Sequence, residues 1–158
     1  MDVVAYDPYL DDDVFDAFGA TRCYEIVDLL STSDFVSLHA PLTPETYHII
    51  DSDAMTVMKD GAMLINTARG GLVDNAALAE ALDSGVLAGA GIDVLENEPP
   101  TMDEPLLKCE TALITPHIAW YSEESHEQNR VLAMDEVERV LTGLRPRHIV
   151  NPEVLWHG

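Results

Sequence analysis

Short apolar runs alternate with stretches of helical spacing along the whole chain, and this alternation constrains the fold more than any other feature. The runs are Val3–Tyr6, Phe35–Leu38, Ala62–Asn66, Leu87–Ile92 and Ala112–Thr115. Strands exposed on one face alternate apolar and polar residues, whereas these runs are mostly continuous. That is the pattern of strands covered on both faces, as in parallel sheets with helical crossovers. The expectation is an α/β chain built on a doubly wound parallel sheet.

The intervening segments carry helix start and stop signals. Asp74 is placed to cap a helix through Leu78, Ala81 and Leu82, and Gly85 to end it. Shorter helices are expected over Glu25–Leu30 and Asp51–Met58. A longer one, about Ser122–Thr142, sets Ala133, Val137, Val140, Leu141 and Leu144 on one face, with Gly143 and Pro146 as stops. Ile149–Pro152 reads as one more extended segment.

With 158 residues, 47% of them hydrophobic, the chain is long enough for one domain with a real core. No apolar run approaches bilayer length; the longest is Val86–Ile92. The first residues lack the basic and apolar regions of a signal peptide. Cys23 and Cys109 are isolated, with no metal-ligand spacing, so no metal is expected and a reducing, cytoplasmic compartment is. The charge is unusual: 29 acidic against 8 basic residues gives −21, and Lys59 and Lys108 are the only lysines. Repulsion on this scale opposes a compact state at low ionic strength. It is largely screened at molar salt, where the Debye length is about 3 Å. A halophilic setting is therefore expected. Nucleic acid is excluded as a direct partner, because no basic patch is available to neutralise phosphates.

A notable polar residue follows each apolar run within a few positions: Asp7, His39, Arg69, Asp93 and His117. Singly, each has an ordinary explanation, such as a turn residue or a surface ion pair. Together they fall where open parallel sheets bind ligands, beyond the carboxyl ends of the strands. Glu98 follows Asp93 in the same loop. An arginine can hold a carboxylate bidentately. A histidine can give or take a proton at a carbonyl oxygen, and a carboxylate beside it would keep it protonated and oriented. The set suits redox chemistry on a small 2-oxo or 2-hydroxy acid, with hydride supplied by a cofactor. Asp7, at the end of the first apolar run, is placed to bind ribose hydroxyls and to repel a 2′-phosphate, which favours NAD over NADP.

Three motifs, Asn66-Thr-Ala-Arg-Gly-Gly-Leu-Val-Asp74, Gly91-Ile-Asp-Val-Leu-Glu-Asn-Glu-Pro99 and Thr115-Pro-His-Ile118, carry a specific resemblance. From Val3 to about Val154 the chain resembles the NAD-binding domain of the D-isomer-specific 2-hydroxyacid dehydrogenases. The resemblance implies a Rossmann-like fold and an NAD-dependent oxidoreductase acting on a CH–OH group. It implies Arg69 as the substrate-binding arginine, and Glu98 paired with His117 as proton donor on reduction and base on oxidation. Asp93 would lie near the nicotinamide carboxamide and Asp7 on the adenosine ribose. Ala40, Pro41, Leu42, Thr43, Thr67 and Ala68 would line the cofactor. The pair Trp120-Tyr121 after His117-Ile-Ala is similar to the C-terminal-binding-protein subgroup, which implies that Trp120 faces the substrate. A homodimer is also implied.

The 158 residues contain no G-x-G-x-x-G ahead of Asp7. The sheet is thus expected to be incomplete at its N-terminal strand–turn–helix, as in an N-terminal truncation or fragment. Residues 1–150 would form a partial NAD-binding domain, and 151–158 a tail returning to a substrate domain. The other reading is a non-catalytic, corepressor-like module that responds to NAD(H).

Overall fold

The computed structural model describes residues 1–153. They fall into two compact units, one ending at Ala119 and one starting at Trp120.

In the first unit, strands and helices alternate as expected. Four strands, β3 (Phe35–Leu38), β4 (Ala62–Asn66), β5 (Leu87–Ile92) and β6 (Ala112–Ile114), form an all-parallel sheet in the order β3-β4-β5-β6. Each agrees with an apolar run read from the sequence to within a residue. In register, Val36, Leu64, Ala90 and Ala112 lie side by side on one face. This face packs on α2 (Ile26–Thr32), α3 (Ser52–Val57) and α4 (Asn75–Asp83), with Leu30, Leu64, Leu72, Leu78 and Leu106 at the centre of the core.

The structure corrects two expectations. The first run, Val3–Tyr6, does not join this sheet: only Val4–Ala5 is a strand, β1, and it pairs in parallel with β2 (Thr21–Arg22) in a separate two-stranded sheet. Neither β2 nor the helix α1 (Asp12–Phe18) before it was expected. Two residues, one of them charged, carry no apolar signature. The small sheet is held instead by Arg22, whose guanidinium lies between the Phe15 and Tyr24 rings and 2.7 Å from Asp12. Second, the strands are not covered equally on both faces. Phe35, Met63 and Leu113, on the face opposite Val36 and Leu64, are exposed. Successive strand side chains point to opposite faces, so a continuous apolar run reports strand character but not which face is covered.

The turns follow their chemistry. Asp74 caps α4 by accepting from the Ala76 and Ala77 N–H groups at 3.0 Å, and Asp51 caps α3 through Ala54 N–H at 2.8 Å. Ser84 ends α4, and Gly85 follows in the left-handed region at φ +77°. The second unit is the helix α5 (Glu123–Leu141), with a Ser122/Ser125 capping box. Its apolar residues Val131, Val137 and Leu141 are exposed. Ile149–Pro152 forms no strand, and residues 154–158 of the expected tail lie outside the described residues.

Candidate active site

The parallel sheet brings four strand ends to one edge, and the polar residues follow them: His39 after β3, Arg69 after β4, Asp93 after β5 and His117 after β6. Asp7 lies in the same way beyond β1, on the small sheet, where its Oδ1 accepts from Tyr9 N–H at 2.8 Å.

Arg69 sits on a tight turn set by Asn66, the last residue of β4. The buried Asn66 amide donates to the Arg69 carbonyl at 2.9 Å and accepts from Ala68 N–H at 3.1 Å. The chain then enters a single 3₁₀ turn, Gly70–Leu72. Gly70 has no room for a side chain, because a Cβ there would stand 2.0 Å from the Leu95 carbonyl oxygen. The turn therefore lies directly on the loop that follows β5. The Arg69 side chain is exposed and donates to the Ala68 carbonyl at 2.6 Å.

Glu98 and His117 meet as expected. Glu98 Oε1 accepts from Leu95 N–H at 2.9 Å, and Oε2 lies 2.7 Å from His117 Nδ1. An ionised carboxylate only accepts, so Nδ1 carries the hydrogen. The bond with His117 holds the Glu98 carboxyl below its ordinary 4.5, against the opposing effect of partial burial. His117 has a left-handed backbone, φ +54°, and its N–H donates to the Asp93 carbonyl at 2.9 Å.

Asp93 is buried, and its carboxylate organises the histidine loop. It accepts from the Thr115 hydroxyl, from Ile118 N–H at 2.9 Å and from Ala119 N–H at 2.8 Å. Burial alone would raise the Asp93 carboxyl. Those three bonds and the nearby His117 outweigh it and bring the carboxyl below its ordinary 3.8.

Leu42, Arg69, Gly70, Glu96, Glu98 and His117 line one cleft, so the three groups singled out from the sequence share a surface. An adjoining cleft is lined by His39, Ala40, Pro41, Leu42, Ala68 and Arg69. Thr43 caps its own turn, its N–H donating to Thr46 Oγ1 at 2.8 Å. Thr67 is exposed beside Ala68. Trp120 belongs to the second unit, where its ring meets Tyr121 edge to face at 5.6 Å. Sequence reasoning did not single out Asn66, Thr115, His48 or Glu96. Thr115, His48 and Glu96 act through hydrogen bonds between loops, which no local pattern reveals; Asn66 acts within its own turn, where its strand-end position gave a hint.

Comparison with known proteins identifies the family. The sequence profile of the D-isomer specific 2-hydroxyacid dehydrogenase, NAD binding domain, matches residues 1–119. A D-3-phosphoglycerate dehydrogenase of Methanocaldococcus jannaschii is 38% identical over 151 residues, covering 96% of this chain and 29% of its own length. Among solved structures, a Thermus thermophilus protein superposes with a TM-score of 0.86 at 39% identity, covering 95% of this chain and 46% of that one. The D-lactate dehydrogenase of Aquifex aeolicus, solved with NAD and lactic acid, gives 0.81 at 35% identity, covering 90% and 47%. The chain thus spans less than a third of the curated relative and about half of the solved ones. A match through the strand ends that carry Arg69, Asp93, Glu98 and His117, at this identity, places the chain in the D-isomer specific 2-hydroxyacid dehydrogenase family, within its NAD-binding domain.

Proposed function

We propose that this chain supplies the catalytic half of an NAD-dependent oxidoreductase that interconverts a small 2-hydroxy acid and its 2-oxo acid. The observation that carries the reading is the shared cleft of Arg69, Glu98 and His117, with Glu98 Oε2 at 2.7 Å from His117 Nδ1. Residues 1–150 would form the NAD-binding unit of such an enzyme, and 151–158 a tail leading to a further domain.

The residues present fit the cofactor of this family. Ala40, Pro41, Leu42 and Ala68 line the cleft that His39 and Arg69 share, and with Thr43 and Thr67 next to them in the chain they would line a nicotinamide ring and its ribose. Asp93, whose carboxylate fixes the 115–119 loop that carries His117, would lie near the nicotinamide carboxamide. Asp7 suits the adenosine ribose hydroxyls, and its charge opposes a 2′-phosphate. When bound, NADH would supply the hydride. Arg69 would hold the substrate carboxylate in its planar fork and so fix the carbonyl carbon for attack. His117 would give its Nε2 proton to the carbonyl oxygen as the alcohol forms, and take it back in the reverse direction. Glu98 would stabilise the protonated ring and fix its orientation.

The charge of −21 supports a protein adapted to a salt-rich cytoplasm. Exposed apolar residues on α5 support a homodimer. The functional reading is tested by oxidation of NADH with a panel of 2-oxo acids, at molar salt, using the protein that carries this chain. Reduced activity is expected in both variants, in Arg69→Ala through weaker 2-oxo acid binding and in His117→Ala through lost turnover. Turnover equal to the parent in both variants would overturn the role assignments, and absence of turnover with NADH binding retained would favour the non-catalytic, NAD(H)-responsive module.

A further inference from the structure

The proposed chemistry needs the Arg69 turn and the Glu98 loop in one place, although the two residues lie 29 positions apart in the chain, from 69 to 98. Glu96 joins them. Its Oε1 accepts from Asn75 N–H at 3.0 Å, at the start of α4, just after the Arg69-Gly-Gly turn. Its Oε2 lies 3.0 Å from His48 Nε2. The His48 backbone N–H in turn donates to the Gly71 carbonyl at 2.8 Å. The bonds close a ring: from Glu96 to Asn75, back along the chain to Gly71, across to His48, and through its imidazole to Glu96. Gly70, pressed against the Leu95 carbonyl, lies beside this ring.

We infer that Glu96 is a positioning residue, with His48 as its partner, that locks the Glu98–His117 pair in register with Arg69; the inference rests on the catalytic reading of those three residues. Two observations set it apart from a helix cap. The α4 N-terminus already has its cap, because Asp74 takes the Ala76 and Ala77 N–H groups. The His48 side of the ring takes none of the α4 N–H groups and reaches that helix only through Nδ1, 3.9 Å from the capping Asp74 Oδ2. His48 also repeats the construction of His117: each histidine is left-handed, at φ +52° and +54°, and each pairs with a carboxylate of the 93–98 loop. Left-handed backbone is uncommon outside glycine and persists where surrounding contacts impose it. Tyr47 stacks on the His48 ring at 3.9 Å between centroids, and Asp74 Oδ2 lies 3.9 Å from its Nδ1, so the ring is held on several sides.

The test compares the protein that carries this chain with its Glu96→Ala, Glu96→Gln and His48→Ala variants by NMR, following the Arg69 Nε–H and His117 Cε1–H resonances, with oxamate as a non-reducible 2-oxo acid mimic in the presence of NADH. Loss of a charge-assisted hydrogen bond shifts an equilibrium by roughly ten- to a hundredfold. Glu96→Ala is therefore expected to move both resonances and weaken oxamate by about tenfold or more, and Glu96→Gln, which keeps an acceptor for Asn75 N–H and a group facing His48, to restore most of both. A Glu96→Ala protein that melts earlier but keeps both resonances and oxamate affinity unchanged would overturn the inference in favour of simple capping. If Glu96→Ala does not fold, His48→Ala decides, since it leaves the Asn75 bond in place: unchanged Arg69 and His117 signals would overturn the proposal. If wild type itself does not respond to oxamate, the catalytic reading fails, while the resonance comparison still decides whether Glu96 positions the two groups.

Discussion

Glu98 and Asp93 are both held below the ordinary carboxylate range, for different reasons. Glu98 owes it first to His117. Burial pushes Asp93 up, but three donors and the nearby histidine together outweigh it. A carboxyl with a depressed folded-state value stabilises the fold above its ordinary value, and that contribution is lost as pH falls through the folded value. For Glu98 the loss lies below its ordinary 4.5, and for Asp93 below 3.8. The urea midpoint of the wild type should therefore exceed that of Glu98→Gln at neutral pH, with the gap closing as pH falls below Glu98's ordinary 4.5; a gap that widens on acidification would contradict the pairing. Arg69 and His117 separate by kinetics. Arg69→Ala should mainly raise KM for the 2-oxo acid, since hydrogen bonds to a charged group are worth about 1.5–3 kcal/mol. His117→Ala should lower kcat by roughly 10²–10⁴-fold, the usual scale of general acid–base catalysis.

Between elements, what matters is how closely two loops approach. The Gly70–Leu72 turn rests on the Leu95 backbone, and the two glycines differ sharply in what surrounds them. A Cβ on Gly70 would stand 2.0 Å from the Leu95 carbonyl oxygen, a backbone atom that cannot step aside alone. A Cβ on Gly71 would meet the Leu42 side chain at 3.1 Å, which can rotate. Gly70→Ala is thus expected to cost about 1–3 kcal/mol, as overpacking usually does, and to disturb Arg69 as well. Gly71→Ala should cost much less. Thermal melts of both variants check the order, and equal losses would show that the turn yields as a unit. Asp74→Ala should cost about 1 kcal/mol, the usual loss for an N-cap. The sequence announced these elements unevenly. Asp74 before an apolar helix and two glycines after Arg69 were visible as patterns. Glu96 and His48 were not, because each is a single polar residue in a loop, and its partner is set by how the loops fold against each other.

Charge dominates the molecule taken as a whole. Twenty-nine carboxylates face eight cations, and few are paired: the ion pairs with arginine or lysine are Arg22–Asp12, Lys59–Asp34 and Arg147–Asp135 among the described residues. The remaining acidic groups repel one another over the Debye length, about 8 Å at physiological salt and 3 Å at 1 M. The melting temperature should therefore climb steadily between about 0.1 M and 2 M KCl, as screening relieves repulsion that the compact state concentrates. A flat or falling dependence would remove the case for adaptation to high salt. Local stretches of the chain were enough to set the strand–helix alternation, four of the six strands closely, the helix caps and the placement of Arg69, Glu98 and His117 beyond strand ends. Each is written in hydrophobic period, turn chemistry or a contiguous motif. Long-range contacts were needed to pair β1 with the polar β2 outside the main sheet, and to give the core to one face of the β3–β6 sheet. They also set Glu98 on His117 and joined Glu96 to both Asn75 and His48. Strand order, face and hydrogen bonds between loops depend on which distant segments come together, and the energy that selects them comes from packing and pairing across the chain rather than from any one stretch of it.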